Sequence, residues 1–441
     1  LGYKLERIPA LPVQERLKIL LEQEALGGAP ATSPRDCGSL ISMRNVQQDI
    51  RGMVKSLGGY WPPLAAVARV LEEVAELASA MEQVDADKNP LREELADLFV
   101  IATCLGDQYC LRLPAPIPPA EGVCKTTDGC FREIIKACGQ LARWVNAFEG
   151  PKALKPGEQG LDLQEVLSLL HSELLALSGL YQIDLGNAVE NAISKSLKRD
   201  PNRFPKLFDP ATASCLDSFA PIKAGTGCPF ASRAKIWGAP SWDTSKTPEA
   251  NVQEIEKTLS RFVKVGRHVG LDALLVELPA ECGQSTEILA QSLHFLLREL
   301  GKYDSSQTFL KELNNVIETG QMLPKWDFEF KGERFFLTSF APCYDSTSSR
   351  QTCGAQSTFI MMQAHHSFDR ILPADRERRH KVHDVIRAKF EKLGQDYTRS
   401  SASVKLSNAE KYIQAVPIDA DPVQWWKKDP VWPVGMSRSD W

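Results

Sequence analysis

The sequence predicts a multidomain protein in which an all-α helical bundle, present in two copies, is followed by an α+β domain. A chain of 441 residues is too long for one ordinary hydrophobic core. From residue 39 to residue 198, apolar residues recur at the spacing of amphipathic helices. After Pro205, Pro, Gly, Ser and aromatic residues become frequent, and short runs typical of β-strands begin.

Breaks in composition divide the chain into four segments. The Pro-rich stretch over residues 113–122 cannot continue a helix. The helices expected after it, over 131–148, 162–179 and 184–198, repeat the lengths and order of the earlier ones, which indicates an internal duplication. The segments are an N-terminal arm with one helix at 12–25 (1–36), a first helical repeat (37–115), a second helical repeat (122–208) and the α+β domain (209–441).

The α+β domain is expected to alternate strands with helices. The run over 271–278 predicts a buried strand, and the residues 331–333 predict the turn of a hairpin. The remaining predicted elements are strands at 326–330, 334–338 and 358–362, and helices at 249–263, 285–300, 305–319 and 373–393.

Composition excludes several classes of partner and site. A net charge of -4 gives no electrostatic reason to expect a nucleic acid polymer or an acidic membrane. No apolar run approaches the roughly 18 residues of a membrane span, so a soluble protein is expected. The eleven cysteines form no CxxC pair, and their odd number favours reduced thiols. The reduced thiols favour a reducing compartment, either the cytoplasm or an organelle. The chain starts at Leu1 without a methionine, so a processed form whose targeting segment is gone is expected.

Four acids in the first repeat are the strongest chemical feature. Glu73 and Glu76 lie three residues apart in Leu71-Glu-Glu-Val-Ala-Glu-Leu77, and Glu94 and Asp97 have the same spacing. Each pair therefore shares one helical face. The turn over 84–90 joins the two helices closely enough to make them antiparallel, so the pairs can face each other.

Four converging carboxylates repel one another and are costly to bury, so they need a cation. Mg²⁺ suits them because it takes oxygen ligands and completes its coordination with water and substrate phosphates. The alternative is that these acids belong to solvated helix faces, as Glu72 and Glu93 are expected to do.

The order of motifs resembles the MazG-type nucleotide pyrophosphohydrolases. The motifs are Gly59-Tyr-Trp-Pro-Pro-Leu-Ala-Ala66, Leu71-Glu-Glu-Val-Ala-Glu-Leu-Ala78 and Glu93-Glu-Leu-Ala-Asp-Leu98, with 17 residues between Glu76 and Glu94. The resemblance implies Mg²⁺-dependent hydrolysis of a nucleoside triphosphate to the monophosphate and pyrophosphate. It implies that Glu73, Glu76, Glu94 and Asp97 are the catalytic metal ligands. Trp61 is then a candidate for base binding, or else a core residue, and Asp107 stands where relatives often have Asn.

The segment from Gln182 to Pro205 resembles the end of a second MazG-type unit. Aligning Glu165-Val-Leu-Ser168 with the second acidic pair leaves Glu165 as the only acid, so the second copy is degenerate. The fused copies then form an internal pseudo-dimer with one active site. The second copy supplies packing and candidate substrate-binding residues. The alternative is that these basic residues form an ordinary charged helix end. These residues are Lys195, Lys198, Arg199 and Arg203.

The C-terminal domain resembles the YqcI/YcgG family, some members of which are haem-dependent oxygenases that hydroxylate nitrogen. The likeness rests on Phe335-Phe-Leu-Thr-Ser339, Ser348-Ser-Arg350 and the run Thr358 to Asp369. It implies His365 as a haem ligand, with Arg350 and Cys228 also cofactor-binding, although a hydrogen-bonded structural histidine is the alternative. Cys228 stands in a Cys-Pro-Phe order, where relatives often have Phe-Pro-Cys.

Together these features predict a nucleotide pyrophosphohydrolase module fused to a possible haem-binding N-oxygenase module. The rival hypothesis is a catalytically retired scaffold or subunit of a larger assembly. It is motivated by the eroded second repeat, Asp107 and the altered Cys-Pro-Phe order.

Overall fold

A computed structural model describes most of the chain. The described residues are 43–84, 86–118, 125–158, 160–199, 208–321, 326–397 and 407–433. The arm predicted at 1–36, with its helix, and Arg203 lie outside the described residues.

The N-terminal half is helical, as the sequence predicts. Three helices belong to the first predicted repeat and three to the second, and their bounds lie close to those expected from apolar spacing. They are α1 (Met43–Leu57), α2 (Pro63–Glu82), α3 (Asn89–Gln108), α4 (Thr127–Phe148), α5 (Leu163–Leu180) and α6 (Leu185–Arg199).

Helices α2 and α3 form the predicted hairpin. Pro63 opens α2, where the missing N–H of proline costs no hydrogen bond. The loop that joins the helices ends at Lys88, and the Asp87 carboxylate accepts a 2.9 Å hydrogen bond from the backbone N–H of Asn89. Asn89 is the first helical residue of α3.

Helix α3 lies at the centre of the helical half. It packs against α1, α2, α5 and α6, and Leu91, Leu95, Leu98 and Phe99 along it are completely buried. A helix that meets neighbours on several sides must be apolar on more than one face. Packing on several sides therefore fixes the helix backbone that carries Glu94 and Asp97.

The two hairpins end in the same backbone turn. Cys110 after α3 and Gln182 after α5 both have a positive φ, 55° and 56°. Leu111 N donates to Gly106 O, and Ile183 N donates in the same way to Ser178 O. The turns thus correspond with a shift of 72 residues, so Val166 stands in the place of Glu94. The predicted alignment of Glu165 with Glu94 differs from this by one residue.

The C-terminal half is an α+β unit around one five-stranded mixed sheet. The strands follow the order β1-β2-β5-β4-β3; β1 and β2 are parallel and the other pairs antiparallel. The strands are β1 (Ile236–Gly238), β2 (Ala273–Leu278), β3 (Phe328–Phe330), β4 (Glu333–Phe340) and β5 (Thr358–Ala364). The helices are α7 (Ser214–Gly225), α8 (Pro248–Val269), α9 (Thr286–Gly301), α10 (Thr308–Thr319), α11 (His365–Ile371) and α12 (Arg376–Lys392).

Three elements of this half were not predicted: α7, β1 and the short α11. Strand β1 has only three residues and ends in a glycine, so it carries no readable alternation. Gly238 is required there, because a Cβ would lie 2.4 Å from Cys215 Sγ. Such close approach of a helix residue to a strand is a tertiary feature that local patterns do not encode.

The two halves share a buried junction at the end of α3. Trp237 Nε1 donates a 2.8 Å hydrogen bond to Gln108 O. Arg261 of α8 makes two 2.9 Å bonds from Nε to Glu149, which also accepts from Tyr109 OH at 2.6 Å. The Arg261 guanidinium lies 4.7 Å from the Trp237 ring centroid. One apolar core runs through both halves.

Length and hydropathy decide which helices of the described residues could span a membrane. No single one of them is long and apolar enough to cross a bilayer. Helices α5 and α6 pass the test of length and hydropathy only as a pair, which is bent by 110° at its break.

Candidate metal centre

Three of the four predicted metal ligands converge in the α2–α3 hairpin. Glu73 and Glu76 lie on α2 and Glu94 lies on α3. One carboxylate oxygen from each lies within 4.8 Å of the other two. The three-residue spacing stacks Glu73 over Glu76, and the hairpin brings Glu94 opposite them. We call these three residues the acid trio.

Burial makes the acid trio electrostatically unfavourable without a counter-charge. Glu73 is only 3% exposed, and the Oε2 atoms of Glu73 and Glu94 are buried without a hydrogen-bond partner among the described residues. Burial raises the pKa of Glu73 and that of Glu94 to about 7, and the neighbouring acids add to the increase. A divalent cation would supply the missing partner for these oxygens, so the donor set fits Mg²⁺.

Arg69, one turn before Glu73 on α2, is a neighbour that sequence reasoning missed. Its guanidinium pairs with Glu72 and with Glu73. Its charge opposes the rise in the pKa of Glu73 without cancelling it. The spacing of four residues was visible in the sequence. That spacing predicts an Arg–Glu ion pair on one helix, but it does not show which acid would be buried.

Asp97, the fourth predicted ligand, lies beside the trio and faces a cleft between α3 and α6. Burial raises its pKa, while the charges of Lys195 and Arg199 oppose the rise. Lys195 also forms a 2.5 Å ion pair with Glu93. Asp97 thus separates the acid trio from basic side chains of the second repeat. The cleft, of about 230 Å³, is lined by Asn89, Arg92, Glu93, Asp97, Ala188, Asn191, Ala192 and Lys195.

In the α+β half, His365 is the first residue of α11, directly after β5. Its Nε2 lies 3.3 Å from Asp327 Oδ2, and its side chain is 34% exposed whereas that of Asp327 is buried. A carboxylate behind an accessible imidazole is the arrangement that orients histidine ligands.

The other two predicted cofactor residues lie elsewhere. Arg350 O accepts a hydrogen bond from Ala341 N, just past the C-terminal end of β4. His365 follows β5, at the opposite end of the antiparallel β4–β5 pair. The seven residues of β5 separate these positions by about 20 Å. The Arg350 guanidinium donates to Lys411 O at 3.2 Å. Cys228 packs on an apolar cluster of α12.

Comparison with protein families gives two matches. Residues 62–109 match the MazG nucleotide pyrophosphohydrolase domain, and residues 227–404 match the YqcI/YcgG family. The chain carries both domains. No curated protein and no solved structure matches it.

The matched MazG segment contains α2 and α3, and therefore all four acids. Trp61, just before it, is 38% exposed. Glu73 lies ten residues beyond Pro63, so the start of α2 is about 15 Å from Glu73 along the helix axis. Lys198 and Arg199 lie exposed in the last turn of α6.

Asp107, the departure from the family pattern, lies far from the acids of the MazG domain. Thirteen residues of helix separate it from Glu94, about 20 Å. Its Oδ1 accepts hydrogen bonds from Gln47 Nε2 at 3.0 Å and from Arg51 Nη2 at 2.8 Å. Asp107 therefore links α1 to α3, and its charge is neutralised by Arg51 rather than by metal or phosphate.

Proposed function

We propose that the MazG domain hydrolyses a nucleoside triphosphate to the monophosphate and pyrophosphate with Mg²⁺ as its cofactor. The observation that supports this most strongly is the acid trio, in which two buried oxygens lack a partner. Buried carboxylates that are not paired or hydrogen-bonded are costly to a fold. A site that keeps them is explained by a cation that binds there.

The residues around the trio have separable roles in this proposal. Glu73, Glu76 and Glu94 hold the cation, and Asp97 completes the ligand set on the side of the cleft. When bound, the cation supplies charge stabilisation to the phosphates and lowers the pKa of a coordinated water. Lys195 and Arg199 bind the phosphate oxygens that extend into the cleft, where the fixed positive charges oppose the accumulated negative charge.

We further infer that the chain has one such site, in a pseudo-dimer of duplicated hairpins. The identical turns after α3 and α5 support the duplication. With a shift of 72 residues, Val166 and Leu169 replace Glu94 and Asp97, so the second copy lacks the oxygen ligands. It contributes α6 instead, which borders the cleft of the first copy.

The direct test is release of pyrophosphate by the full chain from a panel of nucleoside triphosphates, with and without Mg²⁺. We expect monophosphate and pyrophosphate in equal amounts, only with the cation. Diphosphate and orthophosphate as products would contradict the proposed bond cleavage. No product from any nucleotide would favour the scaffold hypothesis, which recovery of a stable partner from cell extracts would then support.

For the YqcI/YcgG domain we propose haem binding through His365, because Asp327 lies behind its ring as an orienting carboxylate. The domain would then carry haem-dependent oxidation of a nitrogen substrate. The cofactor roles of Arg350 and Cys228 stay predictions from the sequence, since the contacts described for them involve other residues. The test is a Soret absorption band after haem reconstitution, which His365→Ala should remove; retention of the band in that variant would contradict the assignment.

A further inference from the structure

Where the two halves of the protein meet, three basic side chains lie close together. They are Arg112, just past the turn that ends α3, Lys223 near the end of α7, and Lys235 directly before β1. We call these three residues the junction basic cluster. Both lysines are half-buried, whereas Arg112 is exposed. Among the described residues, none of the three forms an ion pair with an acid.

Direct contacts bring the cluster to the outer edge of β1, the edge strand that pairs only with β2. Lys223 Nζ donates a 3.1 Å hydrogen bond to Ala234 O, and Cys110 Sγ lies 3.8 Å from Ile236 O. Carbonyl groups two residues apart on an extended segment point the same way and lie about 7 Å apart. The end of α7 and the turn after α3, which leads into Arg112, therefore meet at this edge.

Two acids close to the cluster already have other partners. Asp272 Oδ2 accepts a 2.8 Å hydrogen bond from the backbone N–H of Lys235, and its Oδ1 pairs with Arg370. Asp107 Oδ1 pairs with Arg51 at 2.8 Å. Each of these carboxylates is thus matched by an arginine of its own. Within the described part of the chain, they leave the positive charge of the junction basic cluster uncompensated.

The two lysines hold this charge in an unfavourable place but keep donors to spare. Burial lowers the pKa of Lys223 and that of Lys235, and the positive charge of Arg112 lowers both further. A lysine ammonium has three N–H donors. Lys223 uses one on Ala234 O, and Lys235 uses one on Val269 O at 3.3 Å. Among the described residues, two donors on each lysine stay open to the oxygens of a ligand.

We propose that the junction basic cluster binds a small anion of the phosphate class through Lys223, Lys235 and Arg112. A phosphate group suits the cluster because it carries more than one negative charge and accepts several charge-assisted hydrogen bonds. Arg112 comes from the helical half and the lysines from the α+β half, so the bound anion bridges the two. The site is separate from the acid trio, since the helix from Glu94 to Gln108 spans about 20 Å.

The test is calorimetric titration of the full chain without divalent cations and at constant ionic strength. The probes are inorganic phosphate, inorganic pyrophosphate and a nucleoside monophosphate, each alone. Lys223→Gln and Lys235→Gln should each weaken binding about 10- to 100-fold, because each removes hydrogen bonds to a charged ligand. Lys264→Gln is the matched control and should leave the affinity unchanged. Lys264 Nζ also donates to a carbonyl across the junction, Gly150 O at 3.3 Å, but lies outside the cluster.

Binding of an inorganic probe would identify a site for the free ion, and binding of the monophosphate alone would identify a site for the phosphate group of a nucleotide. The proposal is overturned if no probe binds, or if binding survives both lysine substitutions. Loss of binding in Lys195→Ala would also overturn it, because the anion would then occupy the cleft beside Asp97. If the lysine variants do not fold, the exposed Arg112 decides, and an unchanged affinity in Arg112→Gln would contradict the proposal.

Discussion

The two helical hairpins carry different side chains at corresponding positions of their second helices. The first, α2–α3, carries the acid trio, whereas the second, α4–α5, has Val166 and Leu169 at the places of Glu94 and Asp97. Both end in the same turn. The second hairpin shows that the fold does not require the acids, and the raised pKa values of Glu73 and Glu94 show that they are unfavourable when ionised. The proposed cation site accounts for their presence in the first hairpin.

The largest expected effect comes from Glu73→Gln. Pyrophosphate release should fall about 1000-fold, because several kcal/mol of charge stabilisation depend on the bound cation. The melting temperature should not fall, since burial disfavours the ionised carboxyl that the substitution removes. The matched control is Glu165→Gln, an exposed acid on α5, which should leave turnover unchanged. Equal losses in both variants would contradict the difference between the hairpins.

A second prediction concerns His171, which takes the place of Phe99 in the second hairpin. Its ring packs against Phe99 at a tilt, with the ring centroids 4.2 Å apart. Burial lowers the pKa of His171 to about 4. In the unfolded chain the pKa of this histidine is about 6.5, so the unfolded chain binds more protons than the folded one between these two pKa values. The free energy of unfolding should therefore decrease as the pH falls from about 6.5 to about 4. The loss from this residue is on the order of 3 kcal/mol.

His171→Phe, which makes the two hairpins alike at this position, should flatten that part of the pH profile. The measurement is the free energy of unfolding from urea titrations across this range. An unchanged slope in the variant would show that the proton uptake occurs elsewhere.

The tyrosines at the ends of α3 and α5 give a third contrast. Tyr109 is fully buried and donates to Glu149, whereas its counterpart Tyr181 lies half-buried outside the junction. Tyr109→Phe should cost about 1.5 to 3 kcal/mol, since it removes a hydrogen bond to a buried carboxylate. Tyr181→Phe should change stability by less than about 0.5 kcal/mol. Denaturant titrations measure both; equal effects would mean that Tyr109 OH contributes little to the junction.

The smallest expected effect is that of Lys195→Ala. Loss of one exposed positive side chain at the cleft should raise KM for the nucleotide several-fold, with a smaller change in kcat. High salt should reduce the difference in KM between the variant and the wild type. Lys136→Ala, on the exposed face of α4, is the control and should not change KM. A fall in kcat alone would assign Lys195 to the chemical step rather than to phosphate binding.

Much of the fold was readable from the sequence. Apolar spacing located α2 to α6 within a few residues, because each of these helices buries a continuous stripe. The α2–α3 hairpin was predicted with its acids because ExxE and ExxD spacing and a short loop together determine which side chains can meet. Strand β2, with nearly every residue buried, was equally readable.

The remainder depends on contacts between distant segments. Asp327 and Asn408 lie 81 residues apart in the chain, and no local pattern joins them to each other or to His365. The placement of Asp107 in an ion pair with Arg51 depends on how α1 crosses α3. The position of Asp97 beside Lys195 likewise depends on how α6, a helix of the second repeat, packs against α3. The sequence motifs identified these residues but could not orient the two helices.

The central claim, one cation site in the first hairpin and none in the second, is tested most directly by binding stoichiometry. Mn²⁺, which prefers oxygen ligands as Mg²⁺ does, can be titrated into the full chain and followed by electron paramagnetic resonance. We predict one tightly bound ion per chain, lost in Glu94→Gln and retained in Glu165→Gln. Two ions per chain, or one that survives Glu94→Gln, would contradict the account.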